Sequence, residues 1–122
     1  MRTILIVDDE APLRELLADI VEDAGYRAHQ ALHGREALAR VEQERPDLVL
    51  ADVMMPVLSG AELCRILKAQ PSTAPIPVIL MSAAGSAIAA GAGADAFLDK
   101  PFQVSELVAL VRRWLPLERP PA

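Results

Sequence analysis

Apolar positions along the chain switch repeatedly between two periods. Residues 3–7, TILIV, form a short run rich in β-branched side chains, as expected for a strand covered on both faces. Leu13, Leu16, Leu17, Ile20, Val21 and Ala24 then recur at the spacing of one helix face, which predicts that all six point inward. Pro12 starts that helix and Gly25 stops it. YRAHQA (26–31) reads as a strand, and GREALARVEQE (34–44) as a helix with Ala37, Leu38 and Val41 inward. DLVLA (47–51) is a further strand. SGAELCRILKA (59–69) is a helix in which Ser59 and Glu62 have capping-box spacing. IPVILMS (76–82) and AFLD (96–99) are strands, and VSELVALVRRWL (104–115) is a helix with Leu107, Leu110, Val111 and Trp114 inward.

Five strands alternating with helices predict an α/β domain, a doubly wound five-stranded parallel sheet with helices on both faces. Right-handed crossovers then leave the sheet open. Residues 1–116 read as one domain and the Pro-rich residues 117–122 as a tail or the start of a linker.

Composition narrows the picture. Of the 122 residues 52% are hydrophobic but only 3% aromatic, so the core is aliphatic. The net charge of −5 and scattered Lys and Arg argue against a free-standing nucleic-acid binder. No apolar run is long enough for a membrane span, and the N-terminus lacks a secretory pattern, so a cytoplasmic protein is expected. The lone Cys64 excludes an internal disulfide and lies at helical spacing beside Leu63 and Leu67, as a core thiol would. The uncharged stretch AAGSAIAAGAGA (83–94) leads into GAGADA, which matches G-x-G-x-x-A. A dinucleotide loop follows a strand and opens a helix; this one precedes the strand AFLD, so it is not one.

The polar outliers share one location. Asp8 and Asp9 end the first strand, Asp52 the third and Ser82 the fourth, and Lys100 follows the fifth. Ligands of open parallel sheets bind outside these strand ends. An acid after a strand is often only a helix cap; four converging strand ends are a stronger signal. Two carboxylates ~5 Å apart repel by about 3 kcal/mol at an effective dielectric of 20, so three call for raised pKa values or a cation. Oxygen ligands without histidine suit Mg²⁺, leaving one carboxylate free as a nucleophile. Asp47 reads as a strand-entry or capping residue, Glu10 as a first-turn helix acid, and His33-Gly34 as a turn.

LIVDDE, DLVLADVMMPVLSG, VILMSA and GADAFLDKPF together resemble the receiver domain of two-component response regulators, from Thr3 to about Leu115. The resemblance implies the flavodoxin-like receiver fold with strand order 2-1-3-4-5. It implies that Asp52 accepts a phosphoryl group from a phosphohistidine on a histidine kinase or histidine phosphotransfer protein. Asp9 would bind Mg²⁺ directly and Asp8 directly or through water, with Asp52 and the Met54 carbonyl completing the protein ligands. Lys100 would contact one phosphoryl oxygen and Ser82 another, with the Ala83 amide beside it. Phe97 matches the aromatic switch position, filling space that Ser82 vacates when Asp52 gains charge. The Lys100–Pro101 bond is cis in the family. A downstream protein or covalently linked output domain would read the switch; a homodimer is allowed, and no direct nucleic-acid or membrane contact is expected. Such a domain catalyses its own phosphorylation and dephosphorylation but turns over no metabolite.

Two departures carry expectations of their own. Lys100 follows Ser82 by eighteen positions, fewer than the family's usual spacing. The helix left between them, Ser86 to Ala92, is short and rich in Gly, which predicts a stunted, mobile helix on a face used by the family for dimerisation or output. Met54 and Ala84 stand where family members often place polar groups near the hydrolytic water, which predicts slow autodephosphorylation. The alternative is a phosphorylation-uncoupled protein-interaction module, disfavoured by the intact Asp8, Asp9, Asp52, Ser82 and Lys100. A phosphohydrolase of another α/β family would favour Asp-x-Asp after the first strand, where this chain has adjacent aspartates.

Overall fold

The computed structural model describes residues 1–83, 85 and 91–118. In chain order the elements are β1 (Thr3–Val7), α1 (Ala11–Asp23), β2 (Arg27–Ala31), α2 (Gly34–Gln43), β3 (Leu48–Asp52), α3 (Gly60–Ala69), β4 (Val78–Ser82), β5 (Ala96–Asp99) and α4 (Val104–Trp114). All strand pairs are parallel, in the order β2-β1-β3-β4-β5. The expected doubly wound sheet is therefore present. The stunted helix expected from Ser86 to Ala92 lies outside the described residues except for Gly91 and Ala92, as does Ala84. Among the described residues no helix is long and apolar enough to cross a membrane.

Every residue of β1, β3 and β4 is buried, which explains their unbroken apolar runs. One sheet face carries Leu5, Val7, Val49, Ala51, Val78 and Leu80 and packs on Ala37, Val41, Leu63, Cys64 and Leu67 of α2 and α3. The other carries Ile4, Ile6, Leu48, Leu50, Ile79 and Met81 and packs on Leu17, Val21, Leu107 and Val111 of α1 and α4. Each Val, Leu, Ile or Met side chain among them contributes about 1.5–3 kcal/mol on burial. Cys64 is a buried free thiol in this core, as expected, and burial raises its pKa.

Local signals set the helix ends. Ser59 Oγ accepts the Glu62 N–H at 3.1 Å and Glu62 Oε1 accepts the Ser59 N–H at 3.2 Å, closing the capping box ahead of α3. His33 does more than turn the chain, because its Nδ1 accepts the Glu36 N–H at 3.2 Å and caps α2. After α1, Gly25 adopts φ +103°, a left-handed conformation that stops the helix. Asp47 enters β3 and accepts the Thr3 N–H at 2.8 Å, tying two strands together.

Two expectations need correction. Tyr26 stands just before β2; it is buried, and its phenol donates to the Leu115 carbonyl at the end of α4. Leu16 does not face inward but is 55% exposed. The buried arc of α1 is centred on Arg14, Leu17, Ala18 and Val21, which turns Leu16 nearly to the opposite side.

Lys68 ties the segment entering β5 to α3. Its ammonium donates to the Ala74 carbonyl at 3.0 Å, the Ile76 carbonyl at 2.8 Å and Asp95 Oδ2 at 2.8 Å. Asp95 Oδ2 also accepts the Val78 N–H at 2.8 Å.

Candidate functional site

The carboxyl ends of the parallel strands bring the expected residues together. Asp8, Asp9 and Asp52 each offer a carboxylate oxygen within 4.8 Å of the others. Asp8 and Asp52 are buried and Asp9 is exposed. Lys100 Nζ stands 3.5 Å from Asp8 Oδ2 and 3.5 Å from Asp52 Oδ2. Ser82 is buried at the end of β4, and its carbonyl accepts the Lys100 N–H at 2.9 Å. That bond carries the β4–β5 ladder to the lysine, and the Lys100–Pro101 peptide that follows is cis, as the resemblance implies. Ala83 follows Ser82 directly at the rim.

Burial pushes the Asp52 carboxyl above its ordinary pKa, and neighbouring Asp8 adds to the rise. The Lys100 ammonium and the Met54 N–H, which donates to Asp52 Oδ1 at 3.3 Å, oppose it. Asp8 Oδ1 accepts the Glu10 N–H at 2.9 Å, whereas its buried Oδ2 has no hydrogen-bond partner among the described residues. Glu10 itself is the residue before α1 rather than a first-turn acid. A buried carboxylate oxygen met only by an ammonium at 3.5 Å is under-satisfied and marks a place for a closer donor or cation. Oxygen donors alone, three acids converging with one buried oxygen lacking a hydrogen bond among the described residues, fit a hard divalent ion such as Mg²⁺.

The loop from Val53 to Ser59 closes tightly beside Asp52. The Gly60 N–H donates to the Val53 carbonyl at 3.1 Å, and a Cβ on Gly60 would stand 2.3 Å from the Asp52 carbonyl oxygen. Only glycine fits there. Between them Val57 adopts φ +70°, with the Leu58 N–H donating to the Pro56 carbonyl at 2.8 Å around it. This is the rare hand of γ-turn, on a β-branched residue that disfavours it. Met54 is 58% exposed and Met55 buried. Phe97 is partly exposed on β5, in register with Leu80, and lines a groove with Glu106, Leu110 and Arg113 of α4.

Arg14 is a site-adjacent residue that apolar spacing does not reveal. It is buried, donates to the Asp8 carbonyl at 2.8 Å, and reaches Gln30 Oε1 on β2 at 3.1 Å. A cation in the first turns of a helix, against the dipole, just after an acidic strand end was the available signal. Exposed Leu16 also has a place: with Leu13, Ala83, Lys100, Pro101 and Phe102 it lines an open, mostly apolar groove of about 430 Å³ beside the cleft.

Comparison with known proteins agrees with this geometry. Residues 4–112 match the family model described as the response regulator receiver domain. The chain is 44% identical over 115 residues to the phosphate regulon transcriptional regulatory protein PhoB of Pseudomonas aeruginosa, covering 91% of this chain and 50% of that protein. It is 44% identical over 114 residues to the response regulator MprA of Mycolicibacterium vanbaalenii, covering 92% and 49%. The chain thus spans about half the length of the curated relatives it matches. Among solved structures, the signal receiver domain of a signal transduction histidine kinase from Syntrophus aciditrophicus superposes with a TM-score of 0.89 at 39% identity, covering 94% of this chain and 90% of that one. The receiver domain of a sensor histidine kinase from Pseudomonas aeruginosa, with a magnesium ion coordinated in its active site cleft, gives 0.85 at 30% identity, covering 93% and 96%. Strand order, strand-end acids and these likenesses converge: the chain belongs to the response regulator receiver domain family of two-component signal transduction.

Proposed function

We propose that Asp52 is the phosphoacceptor, taking a phosphoryl group from a phosphohistidine of a sensor kinase or histidine phosphotransfer protein. The observation that carries this is the pairing of buried Asp52 with Lys100 at 3.5 Å, beside the Asp8 oxygen that faces the same ammonium at 3.5 Å. An Asp52 carboxylate oxygen attacks phosphorus, the P–N bond of the donor breaks, and the electron pair leaves with the imidazole. Lys100 and the Ser82 hydroxyl donate to phosphoryl oxygens, joined by the Ala83 N–H, so charge developing in transfer meets fixed donors. Asp8, Asp9, Asp52 and the Met54 carbonyl would hold Mg²⁺, which supplies charge neutralisation to the reacting phosphoryl oxygens when bound. The magnesium in the cleft of the similar Pseudomonas aeruginosa receiver supports that assignment.

The product replaces one negative charge on Asp52 with about two. Ser82 is drawn toward the added oxygens and Phe97 follows inward, altering the surface read by a partner. The apolar groove bordered by Leu16 and Phe102 supports docking of a protein donor beside Lys100. A cytoplasmic setting, a receiver unit of residues 1–116, and output through a partner protein or a linked domain complete the proposal. PhoB is a transcriptional regulatory protein of about twice this length. The absence of direct nucleic-acid contact is therefore proposed only for residues 1–116. With apolar Met54 beside Asp52, hydrolysis of the aspartyl phosphate is slow.

Incubation with acetyl phosphate and Mg²⁺, followed by intact mass, tests the assignment. The parent gains one phosphoryl group and Asp52→Asn gains none; labelling that survives the substitution overturns the nucleophile. A phospho-Asp52 lifetime of only seconds overturns the slow hydrolysis.

A further inference from the structure

We propose that Arg14 is a positioning residue for the divalent-cation site: its guanidinium clamps the Asp8–Asp9 peptide to β2 and so sets where both acidic side chains stand. The inference rests on the cation-site reading above and adds a residue to it.

Stability alone does not account for an arginine here. Arg14 is 9% exposed, and buried charge is costly unless it is paired. It sits near the start of α1, its own N–H donating to the Glu10 carbonyl at 2.9 Å, at the end where the helix dipole disfavours a cation. Its direct partners are neutral, the Asp8 carbonyl at 2.8 Å and Gln30 Oε1 at 3.1 Å, so no ion pair among the described residues offsets the burial. Buried charges of this kind are often replaceable by apolar side chains without loss.

What the guanidinium does achieve is geometric. The Asp8 N–H donates to the Ala31 carbonyl at 3.2 Å, its carbonyl accepts from Arg14, and its Oδ1 accepts the Glu10 N–H at 2.9 Å. Backbone and carboxylate are thus held at three points, leaving Oδ2 to face Lys100 at 3.5 Å. The Asp8 carbonyl is half of a planar unit whose other half is the Asp9 nitrogen. Holding that oxygen therefore orients the start of Asp9, whose exposed side chain is placed through its backbone. The planar fork suits two acceptors on two elements at once, which an ammonium does less well.

The Mg²⁺ dissociation constant of the whole chain, measured by calorimetry beside urea unfolding of the same samples, tests this. Arg14→Met is expected to weaken Mg²⁺ about tenfold, the scale seen when a residue orienting metal ligands is lost. A cation acting only through its charge would have the opposite effect, since its removal favours Mg²⁺. Parent-like or tighter binding by folded Arg14→Met therefore overturns the proposal. If that variant does not fold, Arg14→Lys decides: it keeps the charge and loses the fork, so weaker Mg²⁺ binding supports the proposal and parent-like binding overturns it. Asp9→Asn separates the two levels. If it leaves Mg²⁺ affinity unchanged, the cation-site reading falls and this proposal with it. If it weakens binding while the Arg14 variants do not, only the role of Arg14 falls.

Discussion

Two lysines meet aspartates in this molecule, and they are used differently. Lys68 and Lys100 are similarly exposed, at 20% and 17% of their side chains. Lys68 gives its donors to two carbonyls and Asp95 at 2.8–3.0 Å, matching the three N–H groups of an ammonium. Lys100 faces two carboxylates at 3.5 Å each, beyond the usual N–H···O range, and one of those oxygens has no hydrogen-bond partner among the described residues. Burial does not separate the pairs; saturation does. The first is complete and fastens β5 to α3. The second is looser, which supports the proposed phosphoryl and cation sites.

The largest effect expected from breaking this contrast is at the saturated pair. Lys68→Met leaves Asp95 without its cation, keeping only the Val78 N–H, and removes the Lys68 donor from two carbonyls; it is expected to cost about 2–3 kcal/mol of unfolding free energy in urea, with Mg²⁺ affinity unchanged. Next comes filling the open site. Mg²⁺ at tenfold excess over its dissociation constant is expected to stabilise the parent by about 1.4 kcal/mol and leave Asp9→Asn unmoved, read as Tm. The smallest is Asp52→Asn, expected to raise the stability of the metal-free protein in urea at neutral pH. The sign follows from linkage. Asp52 has a raised pKa when folded, so its ionisation weakens the fold as pH climbs above the ordinary aspartate value. The gain in Asp52→Asn therefore shrinks as pH falls through that raised pKa and vanishes below the ordinary one. A gain that persists at acidic pH would remove burial of the carboxylate as its cause.

The legible parts of the sequence are those where spacing alone decides. The buried runs TILIV and VILMS report strands covered on both faces, and their polar last residues or successors report the cleft. Ser59 and Glu62 announce their cap because both partners lie within four residues. Lys68 and Asp95 lie 27 positions apart and are joined only by the fold. Arg14 was hidden by the same logic that misplaced Leu16. A six-residue apolar series fits one helical face, yet the sheet and β2 draw in the arc centred on Arg14 and leave Leu16 at the groove. Periodicity records which residues are oily, not which guanidinium has a carbonyl waiting for it.

Gly60 carries a mechanical consequence. With a single hydrogen where a side chain would be, the first turn of α3 rests directly on the Asp52 peptide, and the Gly60–Val53 bond closes the joint. There is no slack in that bearing. A side chain at this position would force the first turn of α3 away from the residue that carries the carboxylate. The start of α3 is thus seated on Asp52, while its other end is fastened by Lys68 to the approach to β5.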